Sequence, residues 1–181
     1  MPKKILFLSN ESSFPANSGS RMRSYNFLET FKEEDFHISA LYFITGEEAV
    51  LTEKAENFFS KIWIFDARKQ KNAGSVGIVK RVFNRLKLLW CFLRGIPWEI
   101  SSSFDQNFEK IFLKIVQEND FDIIFCRYIY LAKYLIKFRN HIKARIIVDL
   151  DDIEPIKIAR SIKATTSRWS YARYRLLLNN K

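Results

Sequence analysis

Five short apolar runs, separated by stretches with helical spacing, constrain this chain more than any other feature. They are Lys4 to Ser9 (KILFLS), Phe36 to Phe43 (FHISALYF), Ile62 to Phe65 (IWIF), Phe121 to Cys126 (FDIIFC) and Ala144 to Val148 (ARIIV). A short, nearly continuous apolar run reads as a strand covered on both faces, the condition of a parallel sheet. Helices are predicted between them. From Ser20, the residues Met22, Tyr25, Phe27, Leu28 and Phe31 fall near one face; from Gly46 to Phe59, Ala49, Leu51, Ala55 and Phe58 point inward. Further helices are expected over about 76–93, over 104–117 with Ser103 as cap, and over 128–138. Strand and helix in alternation define an α/β fold: one doubly wound, Rossmann-like parallel sheet of about five strands with helices on both faces. Residues 1–160 are expected to form this domain, and 161–181 a basic aromatic helix.

Composition narrows the class. With 181 residues and 48% apolar side chains, one domain with a real core is the expectation. The apolar run behind Met1-Pro2-Lys3-Lys4 stops at Ser9 and is shorter than the apolar core of an export signal. No stretch of about 18 apolar residues is present to cross a membrane. Cys91 and Cys126 lie in apolar contexts that suit reduced core thiols, which favours a cytoplasmic protein. Two histidines and two cysteines offer no zinc-ligand cluster.

The net charge of +10 is uneven: residues 1–60 carry six basic and nine acidic side chains, residues 61–181 twenty-four and eleven. Such asymmetry points to a polyanionic partner, whether nucleic acid, anionic lipid or a phosphorylated substrate. Against this background stands Val148-Asp149-Leu150-Asp151-Asp152-Ile153-Glu154, four carboxylates at the end of the last strand. Like charges this close need cations, hydrogen-bond donors or open water. A phosphatase-type Asp149/Asp151 pair would require a later Lys and further carboxylates, which the chain lacks. A divalent-metal site binding a nucleotide diphosphate is a second reading. In a third, Asp149 and Asp151 cap a helix beginning near Ile153, with Asp152 and Glu154 favoured by its dipole. In doubly wound sheets, ligands bind beyond the carboxyl ends of the strands, so Ser9 to Arg23, Asp66, Arg127 and the acidic cluster are expected on one rim.

Three stretches, KILFLSNESSFPANSGSRMRSYNFLETF, FDIIFCRYIYLAKYL and ARIIVDLDDIEPIKIAR, resemble in their order and spacing the N-terminal domain of GT-B glycosyltransferases of the group 1 type. In particular they resemble bacterial polysaccharide-associated sugar transferases whose first strand leads to a Pro-x-x-x-Gly loop, an Arg and a helix. The resemblance implies transfer of a sugar from a nucleoside diphosphate sugar, a substrate with no further cofactor, to a polysaccharide or lipid-linked acceptor. It also implies a C-terminal donor-binding half with a paired-glutamate motif and a Gly-rich loop. This sequence contains neither, so a further domain or second chain is expected to supply them.

Under that resemblance Asn17, Ser18 and Gly19 form the loop that approaches donor phosphates and acceptor, Gly19 allowing close backbone approach. Arg21 and Arg23, in the first turn of a helix, are unfavourably placed for its dipole, so an anionic ligand gives a reason for their presence. Arg127 would pair with Asp149 or Asp151, or bind substrate; Asp149, Asp151 and Asp152 complete the candidate set. No catalytic base emerges, because neither His37 nor His141 falls at a strand's carboxyl end. Lys80, Arg81, Arg85, Lys87, Leu88 and Phe92 put cations and apolar groups on one half of the helix over about 76–93, opposite a stripe that includes Leu86. That arrangement suits an anionic membrane surface, and the expected location is cytoplasmic, peripheral to the inner membrane face. Arg168, Trp169, Tyr171, Arg173, Tyr174 and Arg175 would serve a nucleic-acid-binding module, but no nucleic-acid motif accompanies them and no nucleic acid is the expected partner. A non-catalytic interaction domain is a third possibility.

Overall fold

The computed structural model describes residues 2–44, 55, 57–67, 86 and 105–150. The chain divides into two compact units, Met1–Ser75 with Phe104–Asp149 and Val76–Ser103 with Leu150–Lys181. The first unit carries every element below. In the second, Leu86 is helical and 59% exposed, which departs from its expected place on a buried stripe. The expected boundary at residue 160, the helix over 76–93 apart from Leu86, and the C-terminal helix lie outside the described residues.

Five strands, β1 (Lys4–Ser9), β2 (His37–Ile44), β3 (Lys61–Asp66), β4 (Ile123–Arg127) and β5 (Arg145–Asp149), form one sheet in the order β3-β2-β1-β4-β5. Every neighbouring pair is parallel, with Lys4 opposite His37, Ile5 opposite Ile123 and Ile123 opposite Arg145. The expected α/β doubly wound sheet is therefore the observed fold. β1 lies in the middle, so both of its faces are covered, and Ile5 to Leu8 are fully buried.

Side-chain alternation divides the core into two layers. Leu6, Leu8, Leu41, Phe65, Ile124 and Cys126 pack with Phe108, Phe112 and Ile115 of α2 (Gln106–Glu118) and Leu131 and Leu135 of α3 (Ile129–Lys137). On the other face Ile5, Phe7, Ile38, Ala40, Tyr42 and Phe125 pack with Leu28 of α1 (Gly19–Glu33) and with Phe14 and Phe59. Each fully buried Leu, Ile or Phe contributes roughly 1.5–3 kcal/mol through removal from water. Phe7 stands between Phe125, stacked at 5.9 Å, and Tyr42 at 6.5 Å, joining three central strands on the α1 side.

Helix ends fix how α1 and α2 enter the sheet. Ser18 is the N-cap of α1 and accepts from the Arg21 amide. The helix leaves through Asp35 at φ 58°, with the Phe36 amide donating to Phe31 O and the Asp35 amide to Lys32 O. This is the Schellman pattern, with an aspartate where glycine is usual, and the Phe31 and Phe36 rings make its apolar contact at 5.9 Å. At α2 the cap is Asp105, whose carboxylate accepts from the Asn107 and Phe108 amides, so the helix starts two residues later than a Ser103 cap implies. Met22, expected on the buried face of α1, is 48% exposed; Ser24 and Leu28 hold that face instead.

Candidate functional site

In the order β3-β2-β1-β4-β5 the chain reverses its winding between β1 and β4, and the crevice beyond their carboxyl ends is the ligand position of such sheets. Four segments meet there: the loop after β1, the first turn of α1, the β4–α3 junction and the end of β5. Their meeting point is Arg127, the last residue of β4, whose side chain is fully buried. A buried guanidinium must have its charge balanced and its donors used. Its Nη1 forms an ion pair with Asp149 Oδ2, and its Nη2 donates to Ser20 O at 3.2 Å and Tyr128 Oη at 3.3 Å. The guanidinium also lies over the Tyr128 ring at 4.7 Å and the Phe27 ring at 5.9 Å. The expected pairing of Arg127 with Asp149 is present.

Tyr128 continues the network. Its hydroxyl donates to Glu11 Oε1 at 2.7 Å, while the Ser20 hydroxyl contacts both Glu11 Oε1 and Tyr128 Oη. Burial, with Glu11 adding to it, raises the Tyr128 pKa, so the phenol stays a donor to the carboxylate. Its backbone has φ 70° and ψ 141°, a region that side chains other than glycine rarely occupy. The residue is held there by its amide, which donates to Asp149 O at 3.1 Å, and by the contacts of its hydroxyl. Ser24 Oγ is buried on α1 without a hydrogen-bond partner, one turn after the Ser20 carbonyl that receives Arg127.

The structure thus brings most of the expected residues to one rim. Arg23 reaches Asp149 Oδ1 at 3.5 Å with half its side chain in solvent, and Arg21 Nη1 donates to Asn17 Oδ1 at 3.2 Å. Asn17, Ser18 and Gly19 are exposed. Nothing lies within 4 Å of where a Cβ on Gly19 would stand, so no protein group requires glycine there. Asp149 is held by two arginines, and the acidic strand end is answered by cations in its immediate surroundings. Asp151, Asp152, Lys80, Arg81, Arg85, Lys87, Leu88 and Phe92 lie outside the described residues. Among the described residues no group of three or more His, Cys, Asp or Glu could hold a metal ion, and no helix is long and apolar enough to cross a membrane.

Sequence reasoning put Glu11 and Ser20 on the rim only as part of the stretch Ser9 to Arg23, without a role, and passed over Tyr128. Glu11 carried a usable signal, a carboxylate two residues past the end of the central strand. Tyr128 carried none, because a left-handed backbone is not legible when the residue is not glycine.

No family profile matches this chain, and no curated protein matches its sequence. Among solved structures it is similar to the C-terminal domain (residues 78–226) of a hydrogenase from Pyrococcus furiosus, at 12% identity and a TM-score of 0.48, over 82% of this chain and 91% of that one. A second structure of that domain (residues 83–215) matches at 11% identity and the same TM-score, over 82% and 94%. A likeness this distant says nothing of activity.

Proposed function

We propose that this chain is the acceptor-side domain of a GT-B sugar transferase of the group 1 type, binding a phosphorylated, lipid-linked or polysaccharide acceptor at the rim between β1 and β4. One observation supports the reading. Each of the three sequence stretches that carry the resemblance contributes side chains to the same crevice, where Glu11, Ser20, Arg127, Tyr128 and Asp149 join them through hydrogen bonds and an ion pair.

On this reading the division of labour follows from the geometry. Asp149 balances the charge of Arg127, and Arg127 fastens the first turn of α1 through the Ser20 carbonyl. The exposed Ser18–Gly19 turn and the positive end of α1 face an incoming anion, and Arg23 adds a forked cation. A positioned set of this kind stabilises charge without reorganising when the ligand arrives. Transfer itself requires a donor-binding half, and the nucleoside diphosphate sugar would be held mainly there.

Calorimetric titration of the chain with a short-chain prenyl diphosphate carrying one sugar, and separately with UDP, tests the proposal. Binding of the first, weakened at least tenfold in Arg23→Glu, with little response to UDP, is expected. No binding of the prenyl diphosphate sugar, or binding indifferent to Arg23, would overturn it.

A further inference from the structure

A second concave site lies away from the rim, between the middle and end of α1 and the Asn57–Phe58 turn. It is a groove of about 530 Å³ lined by Phe14, Tyr25, Glu29, Lys32, Glu33, Asn57 and Phe58. Its floor is Phe14, almost fully buried. Tyr25 meets Phe14 edge-on at 5.5 Å, Phe58 meets Phe14 at 5.5 Å and 55°, and Tyr25 and Phe58 are 6.1 Å apart at 49°. Three mutually inclined rings make an aromatic corner.

The corner's polar edge is negative. Glu29 and Glu33 are one helical turn apart on α1, and the Tyr25 hydroxyl is hydrogen-bonded to Glu29, which raises the Tyr25 pKa. Lys32 Nζ lies 4.7 Å from the centre of the Phe58 ring. Ring faces carry negative potential and attract ammonium groups, a device used to recognise quaternary ammonium ligands. Even with Lys32 counted, the lining holds two carboxylates against one ammonium.

We infer that this groove is a seat for an organic ammonium ion, filled from within the chain by Lys32. The aromatic corner supplies the ring faces, Glu29 and Glu33 supply the opposite charge, and the Lys32 ammonium over Phe58 occupies the position a ligand cation takes. The volume accommodates a quaternary ammonium or an amine on a larger body. Lys32 then acts as a competitor tethered to the site, and its removal opens the seat. The inference rests on this groove alone and is independent of the proposed transferase activity.

The test is a titration of the full chain, with Phe and Tyr ring resonances labelled, against tetramethylammonium chloride at constant ionic strength, and against neopentyl alcohol as a neutral body of similar shape. Saturable shifts at Tyr25 and Phe58 are expected with the ammonium salt. Affinity should rise about two- to fivefold in Lys32→Gln and fall by a similar factor in Phe58→Leu, the range of one exposed cation–π contact. Lys32 is exposed and Gln is a good helix former, so that variant keeps the fold and decides the matter if Phe58→Leu does not. Equal response to neopentyl alcohol, shifts that never saturate, or unchanged affinity in Lys32→Gln would each overturn the assignment.

Discussion

Arg127 and Asp149 are register partners on neighbouring parallel strands, and their side chains close an ion pair in which the guanidinium has no exposure to water at all. Such a pair gains little over an apolar replacement of both members, yet removal of one member leaves a buried charge uncompensated. Asp149→Ala is therefore expected to cost about 3–5 kcal/mol in urea unfolding, and Arg127→Met with Asp149→Leu to recover most of that loss. A loss under about 1 kcal/mol in the single variant would mean that other groups balance Arg127.

Tyr128→Phe removes a hydroxyl that serves Glu11, Ser20 and Arg127 while leaving the ring over the guanidinium. The expected cost is about 1.5–3 kcal/mol, that of a hydrogen bond to a charged acceptor. Denaturant midpoints of the two proteins check it, and an unchanged midpoint would show that water replaces the phenol at Glu11.

On the proposed reading, Gly19 separates folding from binding. Because no atom stands where its Cβ would point, Gly19→Ala and Gly19→Val are expected to leave the thermal midpoint unchanged or raise it slightly, since Gly is the poorer helix former by up to about 1 kcal/mol. Binding of a phosphorylated ligand at the α1 N-terminus should fall at least tenfold with Val. Calorimetry on folded variants reads both quantities.

Alkaline stability is set by buried phenols. Burial pushes the Tyr42 pKa up to about 12, partly offset by its hydrogen bonding with Ser13. The folded pKa lies above the unfolded value near 10, so the stabilisation is complete below pH 10 and is lost as pH rises through about 12. Between those limits stability should fall by about 1.4 kcal/mol per pH unit from this residue, and Tyr42→Phe should flatten that part of the profile. Unfolding followed by circular dichroism at pH 9 to 12 measures the slope in both proteins.

The central strands were legible because burial on both faces leaves no room for polar alternation, and Ile5 to Leu8 announce it without ambiguity; the edge strands β3 and β5 keep an apolar run although Ile64, Ile147 and Val148 are exposed. The rim was legible for the same reason: once strand order is parallel, the ends of β1, β4 and β5 must converge, and Arg127 and Asp149 follow. What stayed hidden depends on geometry that sequence spacing does not encode. Asp105 and Ser103 are equally good caps by residue type, and the structure uses Asp105, whose carboxylate accepts from the Asn107 and Phe108 amides. Met22 fits the helical spacing of α1, but the inward face is rotated toward Ser24 and Leu28. Tyr128 shows the limit most sharply, since the contacts that hold its backbone come from residues more than a hundred positions away as well as from Asp149.

The bond from Arg127 to the Ser20 carbonyl links β4, and through the ion pair with Asp149 the edge strand β5, to the opening turn of α1. Asp149, Arg127 and Ser20 are three links of a short chain of polar contacts. A change at Asp149 removes the charge that balances Arg127, the residue that holds the Ser20 carbonyl. The geometry of residues 18–20 is therefore governed from strand β5, and an event at that strand's end would be felt as a change in the grip of the turn on whatever it holds.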